Sequence, residues 1–288
     1  MKNVLIVHDI SCYGKNSTTA VLPIISAMQL VGTLLPTALL STHTGPGFED
    51  YTFLDLSSEM VKIVGHWQQM GLRFDSIYVG YLGSSEQIDF LQDVIPQLLT
   101  SNGQFFLDPV MADDGEFYAN FDQSYAEKMR NLCQQADVLI PNQTEASFLY
   151  HEPYQEGLLP LAALSRLQQK INTPEPTSFV LTGAGYDGQG LTGAYYWDQT
   201  TQQGGLCQAP FVGGRFHGTG DIFASILVGL MTNGWPLAEA TRQAVTWVSK
   251  ILSLSIDNPK IVREGLQFER VLGDLAQLVR QGREEYEG

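Results

Sequence analysis

The stretch SIYVGYLGSSEQIDFLQDVIPQLLTSNGQFFLDPV, Ser76–Val110, holds two short apolar runs with a helical pattern between them. "SIYVGYL" and "QFFLDPV" are rich in β-branched and aromatic residues and almost continuously hydrophobic, as strands buried on both faces of a parallel sheet are. Ser85–Leu99 between them reads as a helix. Similar runs recur as "NVLIVHD" from Asn3, "PTALLSTHT" from Pro36, "ADVLIPN" from Ala136 and "SFVLTGAG" from Ser178. Further helical patterns cover Ser17–Leu30, Ser58–Met70, Ser124–Gln135 and Leu159–Lys170. This alternation predicts an α/β fold of three α/β/α layers, a largely parallel central sheet with helices on both faces.

After Thr182 the pattern changes. "GAYYWDQTTQQGGLCQAPF" reads as two antiparallel strands joined by a polar turn, and helices are expected at Asp221–Asn233, Leu237–Leu254 and Glu269–Gln281. Strand–helix alternation runs across the Pro-rich "NTPEPT" at Asn172–Thr177, and there is no internal repeat. Residues 1–288 therefore read as one domain.

The formal net charge of −15 argues against nucleic acid or an anionic membrane as the main partner. A phosphate-bearing ligand would need backbone dipoles, a metal or a few placed cations, for which Lys15 and Arg215 are candidates. The three cysteines, Cys12, Cys133 and Cys207, are widely spaced and form no C-x-x-C pair, which fits a reducing cytoplasm. "MKNVLIVHDIS" is too short in its apolar run for a signal peptide, and Ile222–Met231 is too short to cross a bilayer. The expected location is cytoplasmic.

Several of the apolar runs end in polar or small residues: Asp9, His43, Asp108, Asn142 and Thr182. In open α/β sheets ligands bind outside the carboxyl ends of the strands, so these five residues mark one rim as the expected site. "GAGYDG", Gly183–Gly188, matches G-x-G-x-x-G but is followed by a turn and strand pattern where a dinucleotide fold needs a helix. "YGKNS" around Lys15 lacks the glycine spacing and hydroxyl of a P-loop.

"GRFHGTGDIFASIL", Gly214–Leu227, sets two glycines around a threonine before one aspartate and an apolar run. One reading makes Asp221 a helix N-cap. The other makes Gly218, Thr219 and Gly220 an anion cradle at the positive end of a helix, with Asp221 as a base beside it. "LDPVMADDGEFY" clusters Asp108, Asp113 and Asp114, an arrangement that hard divalent cations favour. In "PNQTEASFL", Asn142 and Glu145 have the spacing of a capping box.

Taken together, "GTGD", "DPVM" and the N-x-x-E from Asn142 to Glu145 resemble the ribokinase-like superfamily of small-molecule kinases. "STHTG" (Ser41–Gly45), "GYLGS" (Gly80–Ser84), "DPVMADDGEFY" and "PNQTEASFL" resemble its pyridoxal kinase branch in order and spacing over nearly the whole chain. Ala112 stands where that branch usually has glycine, and "HDISCYGKNS" differs from its better-known members.

The resemblance implies ATP-dependent phosphorylation of the 5′-hydroxymethyl of a B6 vitamer, in vitamin B6 salvage. It implies Asp221 as general base and Gly218, Thr219 and Gly220 holding the transferring phosphoryl group. Asp108 and Glu145 would orient Mg²⁺. Asp113, Asn142, Thr182 and Gly183 would meet ATP phosphates, and Tyr81, Thr44, Asp9 and Ser11 would meet the pyridine. His43 reads as a packing residue. A homodimer is also implied. The alternatives are a hydroxymethylpyrimidine or sugar kinase of the same fold and a non-catalytic vitamin or nucleotide sensor.

Overall fold

The computed structural model describes residues 1–45, 48, 50–155, 157–184, 188–214 and 216–286, with side chains to residue 282. Along the chain lie β1 (Asn3–Tyr13), α1 (Thr18–Ala27), β2 (Val31–Thr42), β3 (Phe53–Asp55), α2 (Ser57–Gln69), β4 (Phe74–Val79), α3 (Ser85–Leu98) and β5 (Leu99–Leu107). Then come β6 (Ala112–Asp113), β7 (Glu116–Phe117), α4 (Gln123–Cys133), β8 (Val138–Leu139), α5 (Gln143–Tyr150), α6 (Leu161–Ile171) and β9 (Ser178–Thr182). The last part carries β10 (Leu191–Asp198), β11 (Gln203–Pro210), α7 (Thr219–Thr232), α8 (Leu237–Ser255), α9 (Ile261–Glu264) and α10 (Leu272–Tyr286).

Among the described residues nine strands form one sheet in the order β11-β10-β9-β8-β5-β4-β1-β2-β3. From β9 to β2 every neighbouring pair is parallel, while β10, β11 and β3 add antiparallel margins. The continuous apolar runs follow from the pleat, because alternate residues feed two separate cores. Leu5, Val7, Ile77, Val79, Phe105 and Leu107 pack on the side of α2 to α6. Val4, Ile6, Tyr78 and Phe106 pack on the side of α1, α7, α8 and α10.

The chain leaves β1 toward β2 on one side and returns to β4 on the other. The strand order therefore reverses at β1, and a crevice opens above the carboxyl ends of β1 and β4.

The expected strands and helices are all present, and β10 and β11 form the expected antiparallel pair. β1 runs four residues past Asp9, and β3 and the β6–β7 hairpin were not anticipated. Each is too short or too exposed to leave a hydrophobic pattern: β3 is exposed throughout, and β6–β7 is two residues against two. Gly188–Gly190 lead into β10, as the sequence implied, and Gly185, Tyr186 and Asp187 lie outside the described residues. Among the described residues no helix is long and apolar enough to cross a membrane.

Candidate active site

On β1 the inward row Val4, Ile6 continues to position 8, which holds histidine where the core pattern calls for an aliphatic side chain. His8 is 1% exposed. Its ring lies in a slot over Gly80, where a Cβ would fall 2.3–2.4 Å from the imidazole. The Nδ1 atom is 2.9 Å from Asp9 Oδ1, and Nε2 is 3.2 Å from Asp221 Oδ1. Ser11 Oγ donates to Asp9 Oδ2 at 2.9 Å. The backbone N–H of Ser17 donates to Asp221 Oδ2 at 2.6 Å. Asp221 thus joins the ends of β1, the start of α1 and the start of α7.

Burial alone would lower the pKa of His8, but hydrogen bonds and charge from Asp221 and Asp9 outweigh it and raise the pKa to about 10. That shift favours the protonated ring between Asp9 and Asp221. Burial pushes Asp9 up, yet its bond to His8 and the charge there hold the carboxyl below its ordinary value. Sequence reasoning passed over His8. The signal was an ionisable residue in the inward register of a buried strand, directly before an aspartate.

The N-cap reading of Asp221 is corrected. α7 starts two residues earlier than expected, Gly218 is its N-cap at φ 81°, and Asp221 is the third helical residue. Gly218 is required there, since a Cβ would also come within 2.7 Å of the Lys15 carbonyl oxygen. First-turn N–H groups have no acceptor inside the helix, so Thr219, Gly220 and Asp221 direct donors out of the helix start. Gly220 has neither a positive φ nor a neighbour within 4 Å of a built Cβ. Glycine inside a helix costs about 1 kcal/mol relative to alanine, and packing in the protein does not explain it here, since a Cβ would meet only open space.

Asp108 closes β5 and is buried beside this helix end. Burial, then the negative charge of Asp221, raises its pKa to about 8, with His8 opposing. Glu145 is raised well above the carboxylate range by burial and by Asp108. Its two oxygens accept the N–H groups of Met111 at 3.2 Å and Asn142 at 2.8 Å, and Asn142 Oδ1 accepts Glu145 N–H at 2.8 Å. The capping box is therefore real, and of the two acids Asp108 is the less engaged. Among the described residues no group of three or more His, Cys, Asp or Glu side chains is placed to hold a metal ion.

Asn142 also ties β6 to α5, donating from Nδ2 to the Ala112 carbonyl at 2.7 Å. Thr182 ends β9 and bridges to Asn142. Gly183 follows at φ 74° with nothing within 4 Å of a built Cβ, a second open glycine on the rim. Asp113 is exposed on the hairpin, where its carboxylate accepts the N–H of Asp114. The Lys15 ammonium pairs with Glu269 at 2.9 Å. Arg215 lies outside the described residues.

Tyr81 follows β4 with its ring half-buried, 5.8 Å from that of Phe121. Burial, then the charge of Asp9, lifts its hydroxyl to about 12. Thr44 is exposed beyond the end of β2. His43 packs 4.6 Å from the His217 ring, and burial with that neighbour lowers it to about 4, in keeping with a packing role. The rim expectation holds for His43, Asp108, Asn142 and Thr182, which stand at the carboxyl ends of their strands, whereas Asp9 lies inside β1, four residues before its end.

This three-layer sheet with a glycine-opened helix at its rim is the ribokinase-like fold. The sequence model of the phosphomethylpyrimidine kinase family matches residues 18–264. Two crystal forms of a Bacteroides thetaiotaomicron protein described as a phosphomethylpyrimidine kinase are 33% identical, with TM-scores of 0.90 and 0.89. They cover 95% of this chain and 93% and 95% of their own, and the second form contains pyridoxal. Pyridoxal kinase from Lactobacillus plantarum is also 33% identical, covers 99% of each chain and has a TM-score of 0.85. A pyridoxal kinase of Corynebacterium diphtheriae is 26% identical over 224 residues, 75% of this chain and 76% of its own. The chain belongs to the phosphomethylpyrimidine kinase family, in the pyridoxal kinase branch of the ribokinase-like superfamily.

Proposed function

We propose that the protein transfers the γ-phosphoryl group of ATP to the 5′-hydroxymethyl of pyridoxal, pyridoxine or pyridoxamine. The observation that carries this is Asp221, held by His8 and Ser17 in the first turn of α7, beside the open space over Gly220. A carboxylate there can accept the hydroxymethyl proton as the oxygen attacks phosphorus and ADP leaves. The N–H groups of Gly218, Thr219 and Gly220 stabilise the negative oxygens of the transferring group, helped by the helix dipole.

Gly183, Thr182, Asn142 and Asp113 form the neighbouring rim on which the ATP phosphates would lie. Tyr81 offers an aromatic face to the pyridine, with Thr44 at the edge. Buried Asp108, with no hydrogen bond to its carboxylate from the described residues and Glu145 beside it, fits a hard divalent cation such as Mg²⁺. Such an ion, when bound, offsets phosphate charge and keeps part of its water shell.

Leu39 on β2 and Phe53 and Leu54 on the edge strand β3 are exposed, and they support a homodimer that covers this edge. The three free cysteines support a reducing, cytoplasmic setting.

ADP release with the three vitamers, hydroxymethylpyrimidine and ribose at matched concentrations tests the reading. Preference for a vitamer is expected. Preference for hydroxymethylpyrimidine would move the substrate within the family, and absence of turnover with every acceptor would favour a sensor.

A further inference from the structure

Asp9 and Ser11 were expected at the pyridine, yet the structure turns them inward. Asp9 is 4% exposed and Ser11 1% exposed. Both oxygens of Asp9 are engaged, Oδ1 by His8 and Oδ2 by Ser11. The next bond in the row runs from His8 to Asp221, 213 residues away in sequence. We infer that Ser11, Asp9 and His8 form a positioning relay for Asp221, in which His8 fixes the carboxylate against the start of α7.

The inference rests on the phosphoryl-transfer reading and deepens it. A carboxylate on a single χ1/χ2 pair can rotate, and a base that rotates spends less time in reach of the substrate proton. Two donors on different oxygens stop the rotation here: Ser17 N–H on Oδ2 and His8 Nε2–H on Oδ1. Each oxygen keeps a further lone pair, so the locked carboxylate can still accept a proton. His8 is in turn held at Nδ1 by Asp9, which fixes the ring plane, and Ser11 fixes Asp9.

The slot enforces the same geometry. Gly80 leaves room for the ring that no other residue would, as its built Cβ overlaps the imidazole. A backbone bond from Gly80 N–H to the Val7 carbonyl at 2.9 Å keeps the slot at the end of β4. Ser17 itself sits at φ 50°, and its own side chain does not cap α1. Asp221 thus also fixes the turn that leads from β1 into α1. A packing histidine would need none of this. The run of bonds ends on the carboxylate that the reaction uses, and this distinguishes a relay from a buried polar contact placed for stability.

Two substitutions separate the ends of the ring. Asn at position 8 places its amide nitrogen near Nδ1 and keeps a donor toward Asp9, whereas Gln reaches the Nε2 position and keeps one toward Asp221. We expect His8→Asn and Asp9→Asn to lower kcat roughly 10–100-fold, the range that misplacement of a reacting group produces. The KM values for pyridoxal and ATP should stay within a few-fold. His8→Gln should recover most of the kcat, and Gly80→Ala should resemble His8→Asn. Thermal unfolding of each variant accompanies the kinetics, so that a kcat loss is scored on folded protein.

If Asp9 instead contacts the pyridine, Asp9→Asn raises the pyridoxal KM with little change in kcat, and the relay is wrong. It is equally wrong if His8→Asn turns over like wild type, or if His8→Gln is no better than His8→Asn. Wild-type turnover in the same assay guards the underlying reading: if no acceptor is phosphorylated, that reading fails and the relay with it. Wild-type turnover with unaffected variants overturns the relay alone.

Discussion

Asp221→Asn removes the proton acceptor while preserving size and shape. Asp221 meets two donors with two oxygens, Ser17 N–H at 2.6 Å and His8 Nε2 at 3.2 Å. An amide has one oxygen, so one of the donors must face an NH₂ group. A hydrogen bond to a charged group contributes about 1.5–3 kcal/mol. For a chain of this size each kcal/mol moves Tm by about 2–4 °C, so a fall of roughly 3–12 °C is expected. Loss of a general base lowers the rate roughly 10²–10⁴-fold. The assay is ADP release at saturating ATP and pyridoxal, with calorimetry on the same samples and ATP binding measured separately. Turnover should collapse while ATP binding holds within a few-fold. Turnover near wild type would refute Asp221 as the base, whatever happens to Tm.

Three further outcomes follow from the same geometry. Tyr81→Ala should raise the pyridoxal KM roughly 2–10-fold, from an aromatic contact of about 0.5–1.5 kcal/mol, and leave the ATP KM unchanged; equal shifts in both would remove Tyr81 from the acceptor site. Glu145→Gln should raise the Mg²⁺ concentration for half-maximal rate, and it should also lower Tm because an amide cannot accept from both Met111 and Asn142; an unshifted Mg²⁺ curve would leave only the capping role. His8 binds its proton to about pH 10 when folded, against an ordinary 6.5. Its stabilisation is complete below pH 6.5 and is lost as pH rises toward 10, because the folded state holds a proton the unfolded state has released. The Tm should therefore fall across that window, less so in His8→Gln, and a flat or rising Tm would contradict the imidazolium.

The sheet was legible because the strands from β1 to β9 feed two cores, which leaves near-continuous runs such as "NVLIVHD" and "QFFLDPV". The rim was legible because those runs end in polar residues. β3, exposed on every residue, left no such trace. The start of α7 was misplaced because Asp is a common N-cap, whereas here a left-handed glycine takes that role. His8 was the largest omission. A histidine in a buried strand reads as packing until its partners are known, and Asp221 is brought to it only by the packing of α7 on the sheet. Asp9, with Ser11 as its alternate, was read as a pyridine contact, because one dimension of sequence does not say that the two side chains bond to each other.

In the proposed reaction a hydroxymethyl oxygen attacks ATP with Asp221 as base. Phosphorus NMR of a mixture of the protein, pyridoxal, ATP and Mg²⁺ tests it most directly. A new phosphomonoester signal on the vitamer should grow in step with ADP and be absent with Asp221→Asn. Release of ADP with inorganic phosphate alone, or an ester that forms as fast with Asp221→Asn as with the wild type, would contradict it.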